Sequence, residues 1–166
     1  MIVKLNINKQ YHQVTTLPGE NLMNVLRSLG FYGVKHGCET GDCGVCTILL
    51  DGKPVNSCLM LAAQVDGREV ITIEGVGKRE HLHPIQKMFE EAGAVQCGFC
   101  GPGVIMSAKA LLDEKPDPSV ADIRDALSGN LCRCTGYTKM IEAVQDAARI
   151  LRGETAAKPR QLELSK

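Results

Sequence analysis

The sequence predicts an α+β chain of two small modules, a mixed α/β sheet followed by a bundle of four short helices. Two observations carry this prediction. The apolar pattern runs at period two before Gly75-Val76-Gly77-Lys78 and at period 3.6 after it. Eight cysteines divide at the same break, with Cys38, Cys43, Cys46 and Cys58 before it and Cys97, Cys100, Cys132 and Cys134 beyond it. Of 166 residues, each half holds fewer than about 80, a size at which bound metal often completes a thin apolar core.

In the first module, Val3, Leu5 and Ile7 alternate on one strand, and a turn at Lys9-Gln10 leads to a second strand around Val14. Leu17-Pro18-Gly19-Glu20 opens an amphipathic helix carrying Leu22, Met23, Val25, Leu26 and Leu29 at helical spacing, and Gly30 ends it. After the cysteine loop, Thr47 to Leu50 and Val55 to Cys58 flank Asp51-Gly52, a strong hairpin signal that returns Cys58 toward the loop. Glu69 to Ile73 reads as a closing strand. The glycine-bearing break at 75–78 lacks the GxxxxGKS/T spacing of a phosphate loop.

In the second module, Ile85, Met88 and Phe89 mark one helix, and Val104, Ile105, Ala108, Leu111 and Leu112 the next. Val120, Ile123, Ala126 and Leu127 mark a third, and Tyr137 to Leu151 a fourth. The cysteines sit in the breaks between these helices. Pro102 suits a first helical turn after Cys100, so helix N-termini are expected to face the second cysteine group, where backbone N–H groups and the helix dipole favour negative charge.

The spacing within each group sets the chemistry. Cys38-Glu39-Thr40-Gly41-Asp42-Cys43-Gly44-Val45-Cys46 has the C-x4-C-x2-C spacing of plant-type ferredoxins, with Cys58 as fourth ligand. Glycines at 37, 41 and 44 let such a loop turn sharply around a cluster. The second group joins C-x-x-C to a C-x-C that is tighter than ordinary zinc spacing. Disulfides would require a secreted chain, and Met1 to Asn8 alternates like a strand with no apolar leader core, so reduced thiols and a cytoplasmic location are expected. Structural zinc is the stronger alternative. A Rieske centre needs two histidine ligands, whereas all eight cysteines already make two full sets; His36, His81 and His83 read as surface or hydrogen-bonding residues. Lys plus Arg and Asp plus Glu both number 19, so no basic surface suggests nucleic acid, and no apolar stretch approaches the roughly 20 residues of a membrane span.

The loop from Cys38 to Cys46, the stretch Gln96-Cys97-Gly98-Phe99-Cys100 with Pro102-Gly103, and Gly129-Asn130-Leu131-Cys132-Arg133-Cys134-Thr135-Gly136-Tyr137 together resemble the two signatures of the iron-sulfur subunit of molybdenum hydroxylases. That family includes xanthine dehydrogenase, aldehyde oxidoreductase, aerobic carbon monoxide dehydrogenase and 4-hydroxybenzoyl-CoA reductase. The resemblance covers residues 1 to 152, and Gly101, where many relatives carry threonine, is a departure expected to alter local loop packing only.

The resemblance implies a β-grasp plant-type 2Fe-2S ferredoxin domain over 1–76 and a four-helix 2Fe-2S domain over 77–152; residues 153–166, with Pro159 and few apolar residues, read as a solvated C-terminal tail. It implies a subunit without substrate chemistry of its own, partnered by a large subunit with molybdopterin and a medium subunit with FAD, in a complex that is a dimer of heterotrimers. Cys97, Cys100, Cys132 and Cys134 would hold the cluster nearer molybdenum, and Cys38, Cys43, Cys46 and Cys58 the cluster nearer flavin. Gln96 and Cys134 would lie against the pterin, and Arg133 would tune a cluster or join an interface. Purines or related N-heterocycles are the expected substrates. A free-standing two-cluster ferredoxin and a zinc-stapled interaction module are the alternative readings.

Overall fold

The computed structural model describes residues 1–156. In the first module a five-stranded mixed sheet runs in the order β2-β1-β5-β3-β4, with β1 at Ile2–Ile7, β2 at Gln10–Thr15, β3 at Thr47–Leu50, β4 at Lys53–Asn56 and β5 at Glu69–Ile71. The β1–β5 pair is parallel, and the β1–β2, β3–β4 and β3–β5 pairs are antiparallel. Helix α1, Leu22–Ser28, is capped by Asn21, whose side-chain oxygen accepts from the Asn24 N–H at 2.9 Å. Its buried Leu22, Met23, Val25 and Leu26 pack with Val3, Leu5, Ile7, Ile48 and Leu50 in one core.

Three local boundaries differ from expectation. The first hairpin turns at Asn8 and Lys9, with φ of 51° and 66°, one residue earlier than the pattern suggests. Asparagine tolerates this left-handed backbone, and its side chain is tied to Thr72, accepting from the amide and donating to the hydroxyl, both at 2.9 Å. The second hairpin turns at Asp51-Gly52 as expected, but β4 ends at Asn56, and Ser57–Leu59 form a 3-10 turn. The Ser57 hydroxyl donates to the Cys46 carbonyl at 2.7 Å, which bends the chain so that Cys58 turns inward. The closing strand stops at Ile71 because Thr72 is bonded to Asn8 instead of a neighbouring strand.

The second module contains the four expected helices: α2 Pro84–Glu91, α3 Gly101–Glu114, α4 Val120–Leu127 and α5 Thr138–Leu151. Capping boxes open α2 and α4, from His83 with Gln86 and from Ser119 with Asp122. Ile85, Phe89, Val104, Ile123, Met140 and Val144 are among the residues of this second core.

The modules share a packed face. All four residues of β3 are buried, because Ile48 and Leu50 face the α1 core while Leu49 packs on Met106 and Ala110 of α3. A strand covered on both faces reads as a continuous apolar run, as Thr47-Ile48-Leu49-Leu50 does. Ile73 and Val76 join both this interface and the helical core. The tail expected over 153–166 lies mostly outside the described residues; within them, Arg152 is paired with Asp117 and Glu154, and Ala156 packs against the helical core.

Candidate metal centres

The first site is built on the loop between α1 and β3. Glu39, Gly41 and Gly44 adopt φ of 59°, 86° and 67°, so the chain reverses repeatedly within a few residues. Gly37 is required by space, since a Cβ there would lie 2.9 Å from the Cys43 Sγ and 2.6 Å from Val45 Cγ2. Cys38 and Cys43 face each other, each backbone N–H donating to the other's Sγ at 3.4 Å. Cys58, brought round by the 3-10 turn, is in side-chain contact with Cys46. Cys38 is exposed, Cys43 half-buried, and Cys46 and Cys58 buried.

The second site lies where two loops of the helical module meet. Cys100 caps α3, so the first turn of that helix adjoins the thiol, with Pro102 in it as expected. Cys132 and Cys134 do not run directly into α5: Gly136 and Tyr137, at φ of 64° and 67°, make a left-handed turn first. Cys100 touches Cys132, and Cys97 touches Cys134, so the sequence order of the first pair is reversed in the second. Cys97 and Cys134 are exposed, and Cys100 and Cys132 half-buried. Gln96, all four thiols, Gly101, Thr135 and Met140 line one small cavity there.

All eight thiols therefore meet two by two. Among the described residues no three His, Cys, Asp or Glu side chains gather as a mononuclear ion would need. Two thiolates for each of two irons is the donor set of a 2Fe-2S cluster, so these residues fit that group. The cluster, when bound, supplies reversible one-electron chemistry. The protein supplies geometry and charge. Hydrogen bonds from Thr40 and the Cys43 backbone hold the exposed Cys38 thiol down at about 6, ready as thiolate at neutral pH. Burial pushes Cys58 and Cys100 up to about 12, so loading these positions releases protons. At Cys132 burial opposes ionisation, but bonds from Thr135 and the local backbone outweigh it and lower the thiol.

Several residues that position the two sites were not marked for that role by the sequence. Asn130, 3 % exposed, donates from Nδ2 to the Gly44 carbonyl at 2.9 Å. The adjacent Leu131 N–H donates to the Cys43 carbonyl at 2.9 Å. Tyr137 Oη donates to the Asn130 carbonyl at 3.0 Å and accepts from the Cys132 N–H at 2.8 Å. Gly103 permits the contact, because a Cβ there would stand 2.3 Å from the Gly44 oxygen. At Gly101 the nearest atom to such a Cβ is 3.9 Å away, so a side chain meets no obstruction at its first atom. Of the expected non-ligand histidines, His36 pairs with Glu39 and His83 caps α2. No helix among the described residues is long and apolar enough to cross a membrane.

Residues 5–72 match the family described as 2Fe-2S iron-sulfur cluster binding domain, and residues 72–145 the family described as [2Fe-2S] binding domain. The fold and the paired thiols thus define a two-cluster iron-sulfur electron carrier. The nicotinate dehydrogenase small FeS subunit of Eubacterium barkeri is 49% identical over 146 residues, covering 87% of this chain and 93% of that protein. The xanthine dehydrogenase iron-sulfur-binding subunit of Escherichia coli O157:H7 is 44% identical over 150 residues, 89% of this chain and 94% of that one. The crystal structure of the aldehyde oxidoreductase from Desulfovibrio desulfuricans superposes with a TM-score of 0.90 at 47% identity, over 92% of this chain and 17% of that one. The chain belongs to the iron-sulfur subunits of the molybdenum hydroxylases. It is an electron-transfer subunit with two 2Fe-2S clusters and is the non-catalytic part of an oxidoreductase.

Proposed function

We propose that Cys38, Cys43, Cys46 and Cys58 ligate one cluster, with 38 and 43 on one iron and 46 and 58 on the other. Cys97 with Cys134 and Cys100 with Cys132 ligate the second. The observation that carries this reading is the pairwise meeting of the thiols in both modules. Electrons enter at the helical site from molybdopterin on a large subunit, cross to the ferredoxin site and leave to FAD on a medium subunit. Support for the entry end comes from Gln96, Cys97 and Cys134, which share one cavity and are exposed, beside the exposed Val95 and Phe99. On this reading Gln96 and Cys134 rest against the pterin. Support for the crossing comes from the Leu131 to Cys43 hydrogen bond, which joins the residue before Cys132 directly to a ligand of the other site.

The modules divide as 1–76 and 77–152, and the complex is a dimer of heterotrimers resident in the cytoplasm, where thiols stay reduced. An N-heterocycle is the proposed substrate class of the complex, supported by relatives named for nicotinate and xanthine. The test is purification of the chain from its native source with iron, sulfide, molybdenum and flavin analysis. A molybdopterin chain and a flavin chain in fixed ratio are expected. Elution as a lone brown protein would establish the free-standing ferredoxin reading in its place, and a colourless chain containing zinc would remove both.

A further inference from the structure

The Thr135 hydroxyl sits at the meeting point of three groups. It accepts from the Tyr137 N–H at 3.2 Å, and it lies 3.2 Å from Cys132 Sγ and 3.7 Å from Met140 Sδ. Once the oxygen has accepted a backbone hydrogen, its own proton remains to be placed, and among the described residues only the two sulfurs lie within its reach. A metal-bound thiolate carries negative charge, whereas a thioether is a weak acceptor, so the proton goes to Cys132. Backbone geometry enforces this choice. The left-handed Gly136 and Tyr137 fold the chain back so that the Tyr137 amide points at Thr135 and orients its oxygen.

The ferredoxin site has hydroxyls of its own: Thr40 is shared between the Asp42 carboxylate and Cys38, while Thr47 donates to the Gly44 carbonyl at 2.6 Å and Ser57 to the Cys46 carbonyl at 2.7 Å. Hydrogen bonds to ligand sulfur stabilise the more negative, reduced state of a cluster and raise its reduction potential. Thr135 and Cys132 both belong to the helical module, so this bond bears on that cluster.

Resting on the proposed ligand sets, we propose that Thr135 is a positioning residue that raises the potential of the helical cluster through an O–H bond to Cys132 Sγ, leaving the ferredoxin cluster unaffected. The test is EPR-monitored redox titration of the full chain carrying both clusters. Thr135→Val keeps the shape and removes the hydroxyl; it should lower the potential of one EPR signal and not the other. Thr135→Ser should restore the unmutated value. Tyr137→Phe loosens the same loop without touching that hydroxyl, and should shift the potential by much less than Thr135→Val does. Should valine prevent loading of the site, Thr135→Ala carries the same expectation. An unmoved potential in the valine or alanine variant, equal movement of both clusters, or an equal shift in Tyr137→Phe would overturn the inference. An unmutated chain that binds only one cluster would overturn the proposed ligand sets as well, so the two failures are separable.

Discussion

The carbonyl of Cys43 accepts a 2.9 Å hydrogen bond from the amide of Leu131. One peptide further along is Cys132, so a ligand position of the ferredoxin loop and a ligand position of the helical module are linked by one hydrogen bond and a short run of covalent bonds. This bond holds only if the modules stay in register. Asn130 and the bare backbones of Gly44 and Gly103 keep them there.

Asn130→Ala removes the Nδ2 donor and leaves the Gly44 carbonyl, in a buried setting, short of that partner. That carbonyl keeps the Thr47 hydroxyl as donor at 2.6 Å, so the loss is that of one net hydrogen bond, about 0.5–1.5 kcal/mol. Urea unfolding of the cluster-loaded chain should show a loss of that size, and the two EPR signals of the reduced protein should interact less strongly. An unchanged midpoint and unchanged spin coupling would mean that the clamp is idle.

Gly103→Ala and Gly101→Ala form a contrasting pair two residues apart. The first places a methyl group 2.3 Å from a backbone oxygen that cannot move without displacing Cys43; the second meets its nearest neighbour at 3.9 Å. Overpacking of this kind costs typically about 1–3 kcal/mol. Thermal unfolding should therefore be lowered in Gly103→Ala and nearly unmoved in Gly101→Ala, with both clusters loaded in the latter.

Replacing Cys134 by serine should weaken one of the two EPR signals of the reduced chain and spare the other. Each module contains a complete thiol set on its own elements, so damage to one need not spread. Equal loss of both signals would show that the sites do not load independently.

His83 gives helix α2 a pH-dependent cap. Its Nδ1 accepts from the Ile85 N–H at 3.2 Å, which only an unprotonated ring nitrogen can do. Burial, followed by the nearby Lys109, depresses its pKa below 6.5, with Asp113 opposing. Because the folded value lies below the unfolded one, the unfolded chain takes up the proton first. The stability is complete above about pH 6.5 and is lost as pH falls through the folded value. His83→Asn, a non-titrating cap, should flatten that part of the stability profile measured by urea unfolding across this window; an unaltered slope would remove His83 as its source.

Local features were legible because they arise from neighbours in sequence. Asp51-Gly52 announces its hairpin through the left-handed φ that both residues tolerate, and the stripes of α2 to α5 announce helices through their spacing. The same residues misplace boundaries where a distant partner intervenes. Thr72 leaves its strand for Asn8, and Ser57 leaves its strand for the Cys46 carbonyl. Asn130 and Thr135 stood in plain view beside the cysteines, but a buried amide and a hydroxyl reveal their role only through what they touch.

By itself the sequence determined that two groups of four cysteines lie on two modules of different periodicity, since close spacing forces thiols into one loop whatever the rest of the chain does. Only the tertiary structure decided which thiols meet. Cys58 reaches Cys46, and Cys97 and Cys100 reach Cys134 and Cys132 in crossed order, because the hairpin, the 3-10 turn and the start of α3 bring distant loops together. The relation between the modules was likewise decided by packing: backbones can approach closely enough for the Leu131 to Cys43 bond only where Gly44 and Gly103 carry no side chains, and that condition involves residues far apart in the chain.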